Sequence, residues 1–164
     1  MLGRLCFFLS ALLLCCSNAS YGDEILLEGG RGFHQSNHSE VFFLRYQKDS
    51  SPLFGLDSYY GLAAATWSGT AHNSAIILTK GIRFDVFRQV FAGFEGGGAY
   101  LKRTTRNLGT RLQFALRAFT GVRIESFDVG IGYNHFSNGK GVFGWTKTAN
   151  HGENFVTLQV GYRF

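Results

Sequence analysis

Residues 153–164 read ENFVTLQVGYRF. Val156, Leu158, Val160, Tyr162 and Phe164 are apolar, while Thr157, Gln159, Gly161 and Arg163 between them are polar or small. A period of two is the mark of a strand whose faces lie in different media. In a soluble sheet the apolar face would rest on a core. In a membrane barrel it would rest on lipid, with Gln159 and Arg163 pointing inward.

Working outward from this stretch, the same alternation returns seven more times. In 111–123, Leu112, Phe114, Leu116, Ala118, Thr120 and Val122 share one face, opposite Arg111, Gln113, Arg117, Phe119 and Arg123. In 76–86, Ile76, Leu78, Ile82, Phe84 and Val86 oppose Thr79, Gly81, Arg83 and Asp85, with Lys80 on the apolar face. Phe127, Val129, Ile131 and Tyr133 oppose Asp128, Gly130, Gly132 and Asn134. Further strands are predicted over 24–34, 40–47, 58–67 and 90–101. Eight is an even number, as single-chain bacterial barrels require. The inward positions collect Arg83, Asp85, Arg117, Arg123, Asp128, Gln159 and Arg163, which would fill a narrow lumen as a hydrogen-bonded ionic plug. A soluble ligand-binding barrel would instead turn apolar faces inward. The pattern therefore predicts an all-β fold, an eight-stranded antiparallel transmembrane β-barrel. The Tyr-x-Phe ending resembles the terminal signature that the barrel assembly machinery engages. The 22 Gly, 17 Phe, 7 Tyr and single Pro suit tight turns and aromatic girdles.

The N-terminus adds a destination. Residues 1–22 read MLGRLCFFLSALLLCCSNASYG: a positive charge at Arg4, an apolar run from Leu5 to Cys16, then small and polar residues. This is the layout of a cleaved signal peptide. The run is too short to span a bilayer as a helix. Ser20 and Gly22 suit cleavage before Asp23, and cleavage after Ala19 is the alternative. A lipoprotein is disfavoured, because Leu or Cys precedes Cys15 and Cys16 where a small residue is expected. The expected division is signal peptide 1–22 and barrel domain 23–164. All three cysteines lie in the signal, so the mature chain offers no disulfide, thiolate metal site or cysteine nucleophile. Losing Arg4 lowers the net charge from +5 to +4. Strand counting places four connections outside, near 36–39, 68–73, 102–110 and 138–152. The third carries Lys102, Arg103 and Arg106, and the fourth Lys140 and Lys147. Such cations suit the phosphates of lipopolysaccharide, or are simply solvated.

One segment exceeds what a structural barrel needs. In GYNHFSNG (132–139) the phase that sends Phe127 to Tyr133 outward carries His135 and Ser137 outward too. Two residues apart on a strand, their Cα atoms stand about 7 Å apart on one face. An imidazole can bridge that gap, so a base and a hydroxyl nucleophile stand together at the outer rim. No Gly-x-Ser-x-Gly elbow, phosphate-binding loop or nucleic-acid module is present. The spacings of His34, His38, His72 and His151 recommend no metal, and no cofactor is expected.

His135-Phe-Ser137-Asn138-Gly139, a glycine-containing loop, Asn150-His-Gly152 and a last strand ending Gly161-Tyr-Arg-Phe164 resemble the lipid A 3-O-deacylase (PagL) family. The motif resemblance covers about the last thirty residues, with the signal and strand layout agreeing over the rest. It implies an outer-membrane esterase that removes the 3-hydroxyacyl chain at position 3 of lipid A. Ser137 would be the nucleophile and His135 the base. Asn138 and the backbone N–H groups of Gly139 to Gly141 would hold the oxyanion. Lys102, Arg103, Arg106 and Lys140 would meet the substrate. The chain departs from the family at the third member. The family's Glu falls here on Asn154, and Glu153 lies one residue early. A regular strand turns Asn154 outward and Glu153 inward; a β-bulge would reverse this. Asn can hold an imidazole but stabilises imidazolium less than a carboxylate. The alternatives are a non-catalytic structural or ligand-binding barrel, and an acyltransferase. Association of two copies is left open.

Overall fold

The structure, a computed structural model, describes residues 22–34, 38–69, 72–140 and 150–164. The signal-peptide reading of residues 1–21, with the three cysteines, falls outside them. So do Ser36, Gly141 and Lys147.

Eight strands follow in order: β1 (Glu24–Phe33), β2 (Glu40–Leu53), β3 (Leu56–Ser68), β4 (Asn73–Phe87), β5 (Val90–Leu101), β6 (Leu112–Ile124), β7 (Phe127–Ser137) and β8 (Glu153–Arg163). Every neighbour pair is antiparallel, and β1 closes on β8. Closure removes the edge that lipid could not satisfy. Among the described residues, no helix is long and apolar enough to cross a membrane. The eight expected strands are all present; β2 runs longer than the alternation predicts, through Ser50, Ser51 and Pro52, which interrupt it, and β4 extends to Asn73 and Phe87.

Short and long connections segregate. Two-residue turns at 54–55, 88–89 and 125–126 lie at the end where β1 begins and β8 finishes. Phe54 and Gly55 both have positive φ, the backbone of a tight hairpin turn. The longer connections gather at the other end, which is the extracellular end in this class of barrel.

The register fixes the tilt. A row followed through hydrogen-bonded partners runs Glu40, Arg31, Val156, Tyr133, Ala118, Phe94, Ile82, Ser58 and Ser50. It returns to β2 ten residues from where it began. With eight strands this stagger tilts them by about 40° from the axis. Each perpendicular row therefore climbs from the periplasmic toward the outer rim as it passes from β2 to β8.

Outside the register shifts at Ser50/Leu53 and Asp85/Phe87, alternation sorts the side chains between the two faces. Leu27, Phe42, Leu78, Phe94, Leu112, Val129 and Leu158 stand outward and exposed, as a lipid-facing wall requires. Inward, Arg45 bonds Glu28 at 2.6 Å and Glu95 at 2.9 Å, while Arg117 meets the same two carboxylates at 3.0 and 3.5 Å. Nearer the periplasm Arg83 bonds Glu24 and lies 3.5 Å from Asp128, and Arg163 holds Asp128 at 2.6 Å. The outer third of the lumen differs from the expected ionic filling. Phe43, Trp67, Leu101, Leu108, Phe136 and Phe155 are buried there as an apolar plug. Hydropathy alternation hides it, since inward Phe43 follows outward Phe42, and both read as apolar.

Candidate active site

The site is built on the outer ends of β7 and β8. Their register sets Tyr133 beside Val156, His135 beside Asn154 and Phe136 beside Glu153. Beneath this wall the Phe136 ring stacks on Trp67 at 5.7 Å and on Phe43 at 6.4 Å, and Phe155 lies 5.7 Å from Trp67. The apolar plug thus backs the two strands with rigid rings, and what faces outward inherits that rigidity.

His135 and Ser137 both stand on the outer face, partly exposed. His135 Nδ1 lies 2.8 Å from Asn154 Oδ1. The Tyr133 hydroxyl donates to the same Oδ1, also at 2.8 Å. An oxygen that accepts from Tyr133 on one side accepts from an Nδ1–H on the other. This leaves His135 Nε2 as the basic nitrogen. Gly152 adjoins the ring: a Cβ there would stand 3.0 Å from His135 Cε1, and its φ is +76°. Carried one step past Phe136 and Glu153, the register puts Gly152 opposite Ser137. The imidazole therefore reaches from its own level toward that of Ser137.

No bulge interrupts the start of β8, so Glu153 faces inward and is buried. Its Oε1 accepts from Asn107 Nδ2 at 3.2 Å, across the wall from His135. The structure brings Asn154 to the imidazole and keeps Glu153 from it.

Past the strand the chain turns sharply. Asn138 N–H donates to Asn150 Oδ1 at 2.9 Å, and Lys140 N–H donates to Asn138 Oδ1 at 3.1 Å. Gly139 between them has φ +71°. Asn138 itself is buried. Of the three backbone amides from 138 to 140, Gly139 N–H is the one that meets no acceptor among the described residues. The third outer connection braces this turn: Leu108 bridges Asn150, and His151 N–H donates to Asn107 O at 3.0 Å. Lys102, Arg103 and Arg106 project into solvent from that connection, as Lys140 does from the fourth. Flanking the polar group on the outer face are Leu116, paired with His135, and Phe33, paired with Asn154 and 5.8 Å from the Tyr133 ring. A hydroxyl, a base and an orienting amide lie among apolar side chains, an arrangement suited to acyl transfer from a lipid lying against the wall.

Sequence reading placed His135, Ser137 and Asn154 on one face and quoted Gly152 within the motif, but missed Tyr133 and the contact of Gly152 with the imidazole. Tyr133 had counted only as an apolar outward residue. Its hydroxyl, one strand step from His135, was the available signal.

The family model described as lipid A 3-O-deacylase (PagL) matches residues 40–163. Among solved structures, the "outer membrane enzyme PagL" aligns with a TM-score of 0.65 at 19% identity, covering 86% of this chain and 99% of that one. The N-terminal β-barrel domain of Pseudomonas aeruginosa OprF aligns with a TM-score of 0.62 at 15% identity, covering 90% and 100%. A de novo designed transmembrane β-barrel aligns with a TM-score of 0.57 at 11% identity, covering 90% and 98%. At these identities the structural likenesses speak for the fold. A search of curated protein sequences gave no match.

Proposed function

This chain belongs to the lipid A 3-O-deacylase (PagL) family, and on that premise we propose that it cleaves its substrate by serine catalysis on the lipid-facing wall. Its function is the family's, deacylation of lipid A at position 3, and its place is the outer membrane. The observation that carries the serine mechanism is the outward trio of Ser137, His135 and Asn154 at the outer rim.

Lipid A presents its ester at the level of the outer headgroups, so the enzyme has no need of a cleft. His135 Nε2 takes the proton of Ser137 as its Oγ attacks the acyl carbonyl. Gly139 N–H holds the oxyanion, and Asn138 shapes the turn that aims it. The glucosamine 3-oxygen leaves with the proton from His135. Water, activated by the same imidazole, then frees Ser137 and releases a 3-hydroxy fatty acid. Asn154 fixes the imidazole, with Tyr133 fixing Asn154. Phe33, Tyr133 and Leu116 lie along the acyl chains, and Lys102, Arg103, Arg106 and Lys140 meet the lipid A phosphates.

Mass spectrometry of lipopolysaccharide from cells expressing the wild type or Ser137→Ala tests this reading. The wild type should remove one 3-hydroxyacyl chain, with the free acid recoverable, and the variant should not. An acyl pattern matching the vector control in both would refute it. The acyl group recovered on a second acceptor would make the protein a transferase.

A further inference from the structure

On the opposite wall, the lipid-facing surface breaks its own rule. Lys48 on β2 pairs with Tyr60 on β3, and Tyr60 pairs with Lys80 on β4. All three occupy outward positions, so a tyrosine stands in register between two lysines on the face that meets hydrocarbon. Lys80 Nζ lies 4.1 Å from the Tyr60 ring centroid, bonds Ser50 Oγ and donates to Ser58 Oγ at 3.0 Å. Ser50 and Ser58 bond each other at 2.8 Å. Ser58 is two residues into β3 and Ser50 three from the end of β2, beside the short-turn rim. The ammonium is thus drawn toward the periplasmic leaflet, as a snorkelling cation should be.

What Lys80 lacks is a counter-charge; beside Lys48, one register step beyond the Glu24–Gln47 pair, stands Asp23, whose carboxylate accepts from the Tyr46 hydroxyl and from Asp49 N–H. Neither lysine forms an ion pair among the described residues. The outward positions of β2, β3 and β4 carry one carboxylate, Glu40, at the far rim and 3.8 Å from Arg31. Asp49 and Asp57 line the mouth of the lumen instead. With two lysines against the single carboxylate of Asp23, itself buried against Tyr46 and Asp49, the patch stays net cationic on a low-dielectric surface and calls for an anion from the membrane itself. We infer that Lys48, Tyr60 and Lys80, with Ser50 and Ser58, form a binding site for the phosphodiester of a glycerophospholipid in the periplasmic leaflet. Its acyl chains would lie on Leu62, Leu78 and Phe94, all exposed. A second copy of the chain is a poorer occupant, since Glu40 is the one carboxylate these faces could offer it.

Native mass spectrometry of the detergent-solubilised protein decides the matter, with phosphatidylglycerol or phosphate-free diacylglycerol titrated in. The wild type should retain one phosphatidylglycerol in preference to diacylglycerol. Lys48→Gln/Lys80→Gln should weaken that retention at least tenfold, and Lys80→Arg should keep it. The Gln variants remove charge from a lipid-facing surface, so the barrel should still fold and shift on heating in gels. Equal retention by wild type and double variant, or equal retention of both lipids, would overturn the site. So would efficient disulfide dimerisation through Leu62→Cys, which would show a second copy on this face; the chain has no cysteine after Cys16.

Discussion

Tyr133, Asn154 and His135 form a chain of two hydrogen bonds at 2.8 Å each, and the first of them gives the amide its meaning. An unanchored Asn could present either its oxygen or its nitrogen to an imidazole, and only the oxygen selects the Nδ1–H form. Replacing Tyr133 by Phe should therefore lower kcat by about three- to tenfold, the worth of one net hydrogen bond, with KM little changed. Restoring a carboxylate by Asn154→Asp should raise kcat, because the charge would stabilise the imidazolium as it forms. Both are read from the release of 3-hydroxy fatty acid by the purified enzyme. An Asn154→Ala variant as active as the wild type would remove the orienting role altogether.

At the scale of strands, the same two elements carry the proposed catalytic residues on one face and packing on the other. β7 turns His135 and Ser137 outward while Asn134 and Phe136 enter the lumen, and β8 does likewise with Asn154 against Glu153 and Phe155. Between the strands, close approach requires glycine: a Cβ at Gly97 in β5 would collide with the Leu78 carbonyl of β4. The lumen ties distant strands through Arg117 of β6, which holds Glu28 of β1 and Glu95 of β5. Arg117→Met would leave these carboxylates short of a cation in a buried setting, at a cost of about 3–5 kcal/mol. The measurable consequence is a lower urea midpoint for unfolding in detergent. An unchanged midpoint would show that Arg45 alone suffices for both carboxylates.

The molecule as a whole is a filled cylinder used on its outside. Aromatic rings close the outer third of the lumen, and ion pairs together with the buried rings of Tyr59, Phe91 and Phe119 occupy the remainder. In planar bilayers the purified protein should give no stable conductance steps; regular steps in the wild type would contradict a packed lumen. The tilt also spaces the two lipid-facing polar groups. Lys80, Gly96, Leu116 and His135 lie on one perpendicular row, yet the row climbs across three strands. The proposed catalytic group therefore stands at the outer rim and the lysine patch lower on the far wall. Each faces a different leaflet.

Much of this was legible in one dimension. Period-two hydropathy determined the eight strands, their inward and outward faces and the shared face of His135 and Ser137, because side-chain direction in a strand follows residue number alone. The resemblance of 135–139 and 150–152 pointed to the family. The phase of β8 already turned Asn154 outward and Glu153 inward, subject to a bulge that only the fold could exclude. Other features needed the closed barrel. The hydrogen bond of Tyr133 to Asn154, the fit of Gly152 against the imidazole and the apolar plug behind Phe136 join residues on different strands. Their meeting depends on register and tilt, which no single strand encodes. Lys80 shows the division most plainly. Alternation placed it on the lipid-facing wall as an anomaly, and only the pairing of β2, β3 and β4 supplied its two serines, its tyrosine and its companion Lys48.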